Sequence, residues 1–359
     1  MKNSIYIIAE AGINHNGNLK KAYNLVSIAK KSGADAVKFQ IFDTNEMVTS
    51  KAKKAKYQIN NLNKSLTHKQ MLKKYELTSD EYFKIVECCK KKKITFLASA
   101  FDIKSLNFLV KKLKVKTLKI ASGEITNAPL LLAHAQTNCN IILSTGMSKI
   151  EDIKIALGVL SFGFKKENIN KHKLSKAFFY KEFKKIDIKR FRKKVSILHC
   201  NSAYPSPLTD LNLNAIIKLR DYFNLRVGFS DHSEGIIASL AASAMGASII
   251  EKHFTISKKL SGPDHRSSLE PSELKKMVED IRNIEKMMGV KKKLITPSEK
   301  ENIKIARKSI VASQNILPGE KFSYSNIAIK RPGTGKNPIN YWSVIGKKSK
   351  IKIDKDDFI

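Results

Sequence analysis

Eight short apolar runs, each leading into a stretch with helical spacing, constrain this chain more than any other feature. The runs are 4–9, 36–41, 94–99, 117–121, 141–144, 195–199, 226–229 and 248–251, and helical stretches between them include 19–32, 79–92, 150–160 and 213–223. Most runs are dense in Ile, Val, Leu or Phe, the composition of strands buried on both faces of a parallel sheet. Eight β-then-α units within about 280 residues predict an α/β fold, a (β/α)8 TIM barrel. A doubly wound open sheet is the alternative. No G-x-G-x-x-G follows the first run, which counts against it. The pattern stops at Met288-Gly289, so the barrel is expected over 1–288, a linker over 289–297 and a small β-rich module with Pro and Gly turns over 298–359.

Charge narrows the function classes less than it first suggests. The formal net charge is +35, yet only 8 of the 67 basic residues are arginine, so 59 are lysine, and they are spread along most of the chain. That reads as a bias on solvated faces and not as a nucleic-acid surface; it would still concentrate an anionic substrate. The exception is the stretch 162–194, with 13 Lys/Arg against 3 Asp/Glu, a net +10, and interleaved aromatics. It is expected to be a solvated helical insertion in a surface loop, with contact to a membrane surface or acidic partner as the other reading. No apolar run is long enough to span a bilayer. The first apolar run is short and meets Glu10, unlike a secretory signal, and four cysteines form no C-x-x-C pair. A cytoplasmic protein with reduced thiols is expected.

In a barrel of this kind the chemistry lies at the C-terminal ends of the strands. Here nearly every run ends in polar residues: Glu10; Lys38 and Gln40; Asp102; Lys119, Ser122 and Glu124; Ser144; His199, Asn201, Ser202 and Tyr204; Ser230, Asp231 and His232; Glu251 and His253. Two lysines inside apolar strands need an anion, because burying an unpaired ammonium is costly. Lys38 and Lys119 therefore meet either Glu10 or Glu124 as structural ion pairs, or a bound phosphorylated acid. Ser122 and Ser144 could help to cradle its phosphate. His232 and His253 stand 21 residues apart, about one helix-and-strand repeat, so neighbouring strands would bring two imidazoles to one rim. Neutral imidazoles suit a divalent transition metal. Ordinary polar rim residues are the plain alternative, and a Schiff-base lysine a third reading of the site.

These stretches carry a family resemblance. IAEAGINHNG (8–17), GADAVKFQ (33–40), LKIASGEITN (118–127), ILSTGM (142–147), GFSDHSEG (228–235), EKHFT (251–255) and SGPDHRSSLEP (261–271) resemble the sialic acid synthases, the bacterial N-acetylneuraminate synthase family. IKRPGTG (329–335) resembles their C-terminal antifreeze-protein-like (SAF) domain. The resemblance implies a transferase that condenses phosphoenolpyruvate with an N-acetylated mannosamine-type sugar and releases phosphate. It implies that His232 and His253 bind a divalent metal, Mn²⁺ with Mg²⁺ or Co²⁺ as alternatives. Lys38, Lys119, Ser122, Ser144 and Ser230 would bind phosphoenolpyruvate, and Gln40, Tyr204, Asp264 and Arg331 the sugar. Glu10, Glu124 and Glu251 would be the catalytic carboxylates, with the base among them left open. Arg331 would reach a partner's barrel in a domain-swapped homodimer. Within the family, N-acetylneuraminate from N-acetylmannosamine is the first expectation. Legionaminate from a 2,4-diacetamido-2,4,6-trideoxy sugar is the alternative, and a Schiff-base pyruvate aldolase is the rival from another class.

Overall fold

The structure, a computed structural model, describes residues 4–55, 59, 66–165 and 173–359. It divides into two compact units, 1–289 and 290–359.

The first unit is a closed barrel of eight parallel strands in chain order. The strands are β1 (Tyr6–Gly12), β2 (Ala36–Ile41), β3 (Thr95–Ala100), β4 (Thr117–Ile120), β5 (Asn140–Ser144), β6 (Val195–Cys200), β7 (Arg226–Asp231) and β8 (Ile249–His253). Closure is made by β1 against β8, with Ile8 opposite Glu251 and Glu10 opposite His253. The repeat read from the apolar runs is thus the fold, with strand ends moved by one to three residues. β7 and β8 run two residues further than their apolar cores, because polar residues at the rim still carry the ladder.

Strand side chains alternate between faces, and here the alternation sorts chemistry. Inside the barrel, Ile8, Ala36, Leu97, Ile142, Leu198 and Ile249 form a separate apolar layer. Two residues further along the same strands the inward positions are Glu10, Lys38, Ser99, Ser144, Cys200 and Glu251. A dry plug thus lies directly beneath a polar floor. The outward positions, such as Phe39, Leu118, Ile120, Phe229 and Ile250, pack into the main core under the helices. Around the barrel run α1 (Leu19–Lys31), α2 (Ser79–Lys91), α3 (Ile103–Asn107), α4 (Ala128–Gln136), α5 (Ile150–Lys165), α6 (Lys176–Lys184), α7 (Asn214–Phe223), α8 (Ile237–Ala244) and α9 (Pro271–Met287). Helix starts follow their caps: Thr78 and Glu81 form a reciprocal capping box at α2.

The basic stretch 162–194 differs from a solvated loop. Residues 166–172 lie outside the described residues, but α6 is packed and not merely solvated. Phe162 meets Phe178 edge-on at 5.2 Å and Phe179 at 6.4 Å, and Phe179 and Phe191 are buried. Its aromatics are core residues under a lysine-rich skin; Glu182, itself buried, pairs with Lys165 and Lys185. The interleaved pattern therefore reflects one apolar helix face, and the surface-binding reading loses its aromatic half.

The second unit holds α10 (Pro297–Ala306) and an antiparallel pair, β9 (Ser309–Ala312) with β10 (Ile327–Lys330). Ile310, Ala312, Ile316, Phe322, Ile327, Val344 and Ile353 form its own core. Bridges at Ile316–Ile353 and Lys321–Lys348 extend its β character.

The close approach of α5 and α6 depends on one residue. A Cβ at Gly158 would stand 2.0 Å from the Phe179 carbonyl oxygen, so a side chain there forces the helices apart. Gly158→Ala is expected to cost about 1–3 kcal/mol of stability, measured as a lower thermal midpoint, with kcat per folded molecule unchanged. An unchanged midpoint would show that the α5–α6 contact has no steric demand at this position.

Candidate active site

The polar floor opens into a cavity of about 370 Å³ at the C-terminal end of the strands. Lys38 is its central cation. Its Nζ lies 2.8 Å from Glu10 Oε2 and 3.7 Å from Glu251 Oε2, and donates to Ser99 Oγ at 3.3 Å. Lys119 Nζ lies 3.4 Å from Glu251 Oε1 and donates to Ser144 Oγ at 2.7 Å. Ser230 Oγ donates to Glu251 Oε1 at 2.8 Å, and Gln40 Nε2 to Glu10 Oε1 at 3.4 Å. All four charged groups are buried. Two lysines thus meet two carboxylates, and the partners are Glu10 and Glu251, not Glu124.

The two carboxylates are not equivalent. Burial raises both, but Lys119 and Lys38, with the Ser230 hydroxyl, outweigh it at Glu251 and hold that carboxyl at about 2. At Glu10 burial wins over the attraction of Lys38, the charge of Glu251 adds to it, and the carboxyl is pushed up. Burial would lower Lys38, yet Glu10 and Glu251 together raise it; Lys119 is lowered by burial despite Glu251. Asp264, also lining the cavity, is pushed up to about 7 by burial and then by Glu10.

Two imidazoles flank this cluster. Their ring centroids are 5.6 Å apart. His232 Nδ1 donates to the Asn201 carbonyl, which leaves Nε2 with its lone pair; Tyr204 OH donates to Nε2 at 3.0 Å. His253 Nδ1 is buried without a hydrogen-bond partner. Burial drives His232 to about 4 and His253 well below its ordinary value, so both are neutral near pH 7. Among the described residues no group of three or more His, Cys, Asp or Glu could hold a metal. A divalent ion at this rim would meet these two imidazoles. Neutrality, the fixed tautomer of His232 and the unpartnered nitrogen of His253 fit that use.

Of the residues expected at the site, Glu10, Lys38, Gln40, Lys119, Ser122, Ser144, Tyr204, Ser230, His232, Glu251, His253 and Asp264 all line this one cavity. Ser122 Oγ accepts from the Gly146 amide at 3.1 Å and touches Cys200 Sγ at 3.0 Å. Glu124 does not line it. It sits on a 3-10 turn (Ser122–Glu124) that carries its side chain to Asn127, whose Nδ2 donates to Oε2 at 2.8 Å. Three polar strand ends serve structure instead. Asp231 faces the helices, His199 Nε2 bonds the Leu211 carbonyl, and Asp102 caps α3. Arg331 belongs to the second unit, where its side chain is exposed and its Nε donates to the Ala306 carbonyl at 3.1 Å. Sequence reasoning missed Ser99, although it follows Leu97 at the two-residue spacing of an inward face. It also missed the apolar lining residues Ile13, Met47, Leu72, Phe101 and Met147, which come from segments far apart in sequence, two of them short helices (Thr44–Met47 and His68–Lys73).

A model described as the NeuB family matches residues 25–293. The chain is 43% identical over 354 residues to an N,N'-diacetyllegionaminic acid synthase of Campylobacter jejuni, covering 98% of both chains. It is 37% identical to another of that name from Legionella pneumophila, covering 97% of this chain and 91% of that one. It is also similar to the crystal structure of an N-acetylneuraminic acid (sialic acid) synthetase from Leptospira borgpetersenii. That match has TM-score 0.68 and 34% identity, over 84% of this chain and 90% of that one.

Lys38→Met leaves Glu10 and Glu251 facing each other in a buried site without their shared cation. It is expected to destabilise the fold by about 3–5 kcal/mol, read as a fall in the urea midpoint at constant m. A midpoint within error of the parent's would mean that the two carboxylates take up protons at no cost.

Proposed function

The chain belongs to the NeuB family, and on that footing we propose that it is a nonulosonate synthase that joins phosphoenolpyruvate to 2,4-diacetamido-2,4,6-trideoxymannose, giving the N,N'-diacetyllegionaminate skeleton. One observation carries the choice of sugar. The cavity sets its charged floor against the wall of Ile13, Met47, Leu72, Phe101 and Met147, which suits a sugar with a methyl at carbon 6 and a second acetamido group. Two relatives with that product in their names, at 43% and 37% identity, point the same way. N-acetylneuraminate from N-acetylmannosamine, the first expectation from sequence, is the second reading and has the Leptospira likeness in its favour.

In this reading the charged floor works in sequence. Lys38 and Lys119, with Ser122, Ser144 and Ser230, hold the carboxylate and phosphate of phosphoenolpyruvate. They keep its carbon 3 facing the sugar aldehyde carbon. His232 and His253 would hold a divalent ion, Mn²⁺ with Mg²⁺ or Co²⁺ as alternatives. When bound, that ion supplies Lewis-acid polarisation of a carbonyl oxygen. Carbon 3 forms the new C–C bond as the C2=C3 π bond and the aldehyde C=O π bond break; the aldehyde oxygen takes up the electron pair and then a proton, and carbon 2 becomes electron-poor. Water adds to carbon 2 and gives up a proton. Glu251, pinned ionised by two lysines, is a poor acceptor; Glu10, pushed up by burial, is the better base. The C–O bond from carbon 2 to phosphate then breaks as the carbon 2 hydroxyl gives up its proton and becomes the ketone, and the lysines and serines retain the leaving phosphate, which carries off the bond's electron pair. Asp264, Gln40 and Tyr204 line the sugar side. Glu124 has no step in this scheme. The second unit is an antifreeze-protein-like (SAF) domain, and Arg331 completes the sugar site of a partner subunit in a homodimer. Glu10 and Glu251 hold Lys38 protonated, so the Schiff-base aldolase reading falls to Lys119, which burial lowers and whose Nζ is engaged by Ser144 and Glu251.

Phosphate release from phosphoenolpyruvate with Mn²⁺ tests the proposal, run with the 2,4-diacetamido sugar and with N-acetylmannosamine. The expected result is release with the former at a kcat/KM at least tenfold higher, lost with EDTA or in His253→Ala, and no borohydride trapping. A preference for N-acetylmannosamine would move the assignment to the second reading. Arg331→Ala is expected to raise the sugar KM about tenfold or more, with the phosphoenolpyruvate KM within twofold. Unchanged sugar kinetics would remove Arg331 from the site.

A further inference from the structure

The most deeply buried ion pair outside the cavity stands directly behind the two histidines. On β7 and β8, Ser230, Glu251 and His253 face the cavity, while Asp231 and Lys252 face the helices. These two are register partners on adjacent strands, and Lys252 Nζ lies 3.0 Å from Asp231 Oδ2 with both side chains at 0% exposure. The outward positions below them, Val227, Phe229 and Ile250, are apolar. An apolar pair of similar volume would serve stability as well or better, because two charges lose their hydration here. Stability alone therefore does not account for the pair.

Its remaining hydrogen bonds suggest what does. Asp231 Oδ1 accepts from the Ser233 amide at 2.8 Å and from Ser233 Oγ at 2.6 Å, while Oδ2 accepts from Ser239 Oγ, on α8, at 2.6 Å. Lys252 Nζ donates to the Ser233 carbonyl at 2.6 Å. Ser233 is thus held at its amide, its hydroxyl and its carbonyl by the two charged groups. His232 sits between Asp231 and Ser233 and has its backbone fixed on both sides. One partner of the clamp precedes His232 and the other precedes His253.

We propose that Asp231 and Lys252 are positioning residues that lock the β7–α8 turn, so that His232 keeps Nδ1 on the Asn201 carbonyl and Nε2 on the cavity side, where Tyr204 OH donates to it. The pair touches no substrate in this assignment; it acts through the ring it orients. The proposal rests on the two-histidine reading of the site, and its test separates the two.

The test compares the parent with Asp231→Leu/Lys252→Met, an apolar pair expected to fold, and with Asp231→Asn. Two quantities are read: the ring-nitrogen signals of His232 in histidine-labelled protein, and the affinity for Mn²⁺ alone by calorimetry. The parent is expected to show a single Nδ1–H tautomer. The double variant is expected to show mixed tautomers, with Mn²⁺ affinity reduced about 10–100-fold and a lower kcat at an unchanged phosphoenolpyruvate KM. Asp231→Asn, which can still accept from the Ser233 amide, is expected to fall between them. A double variant with the parent's tautomer overturns the proposal. If it does not fold, Asp231→Asn decides, and parent-like ring signals there overturn it as well. The ring signals report whether or not Mn²⁺ binds, so a parent that binds no Mn²⁺ refutes the metal reading and leaves the positioning claim to be decided by tautomer.

Discussion

A closed ring of parallel strands gives every strand one face turned into the barrel and one turned to the helices, with no free edge. The rest of the molecule depends on that constraint. It requires apolar residues at both sets of positions through most of each strand, and it releases the inner set only near the C-terminal ends. The step from Ile8 to Glu10, from Ala36 to Lys38 and from Ile249 to Glu251 is that release, made on neighbouring strands; it is level between β1 and β2 and offset by two residues between β1 and β8. Polar groups that would be ruinous one layer lower are satisfied here, because neighbouring strands bring complementary charges to the same height.

The same alternation explains how much was legible in the sequence. Strand order, the repeat and most of the cavity could be read because apolar runs and polar strand ends are local signals. Facing direction at a strand end is not local. Asp231 and His232 are adjacent, both polar and both at a rim, yet one turns out to Ser239 and the other in toward Tyr204. Asp231 is the last residue of β7, paired with Lys252, and His232 lies just beyond the strand's end, a boundary the sequence does not mark. Glu124 was misplaced for a related reason. It follows a strand and looks like a rim carboxylate, but a 3-10 turn carries it to Asn127.

Composition showed less of two other regions. The stretch 162–194 was expected to be a solvated helical insertion, and it does hold a helix, but Phe178 and Phe179 pack on Phe162 under the lysines, which the basic composition hid. The apolar wall of the cavity is drawn from segments far apart in sequence, Ile13, Met47, Leu72, Phe101 and Met147, and no periodicity joins them. It became visible only once these segments were placed around one opening. The family was legible because its motifs are strand ends; the apolar lining was not, because its residues come from separate segments joined by no periodicity.

The arrangement around Lys38 divides the work of handling an anion between two populations of lysine. Those inside are matched, two cations against two carboxylates, so the floor carries little net field of its own. The surplus of +35 must come from residues elsewhere, many of them lysines in water. Exposed charges act over roughly 8–10 Å and fade as salt is added, while contacts inside a dry pocket scarcely notice it. For the anionic substrate proposed above, arrival and retention would thereby be uncoupled: brine would slow its traffic toward the mouth and leave the grip on a seated anion almost untouched.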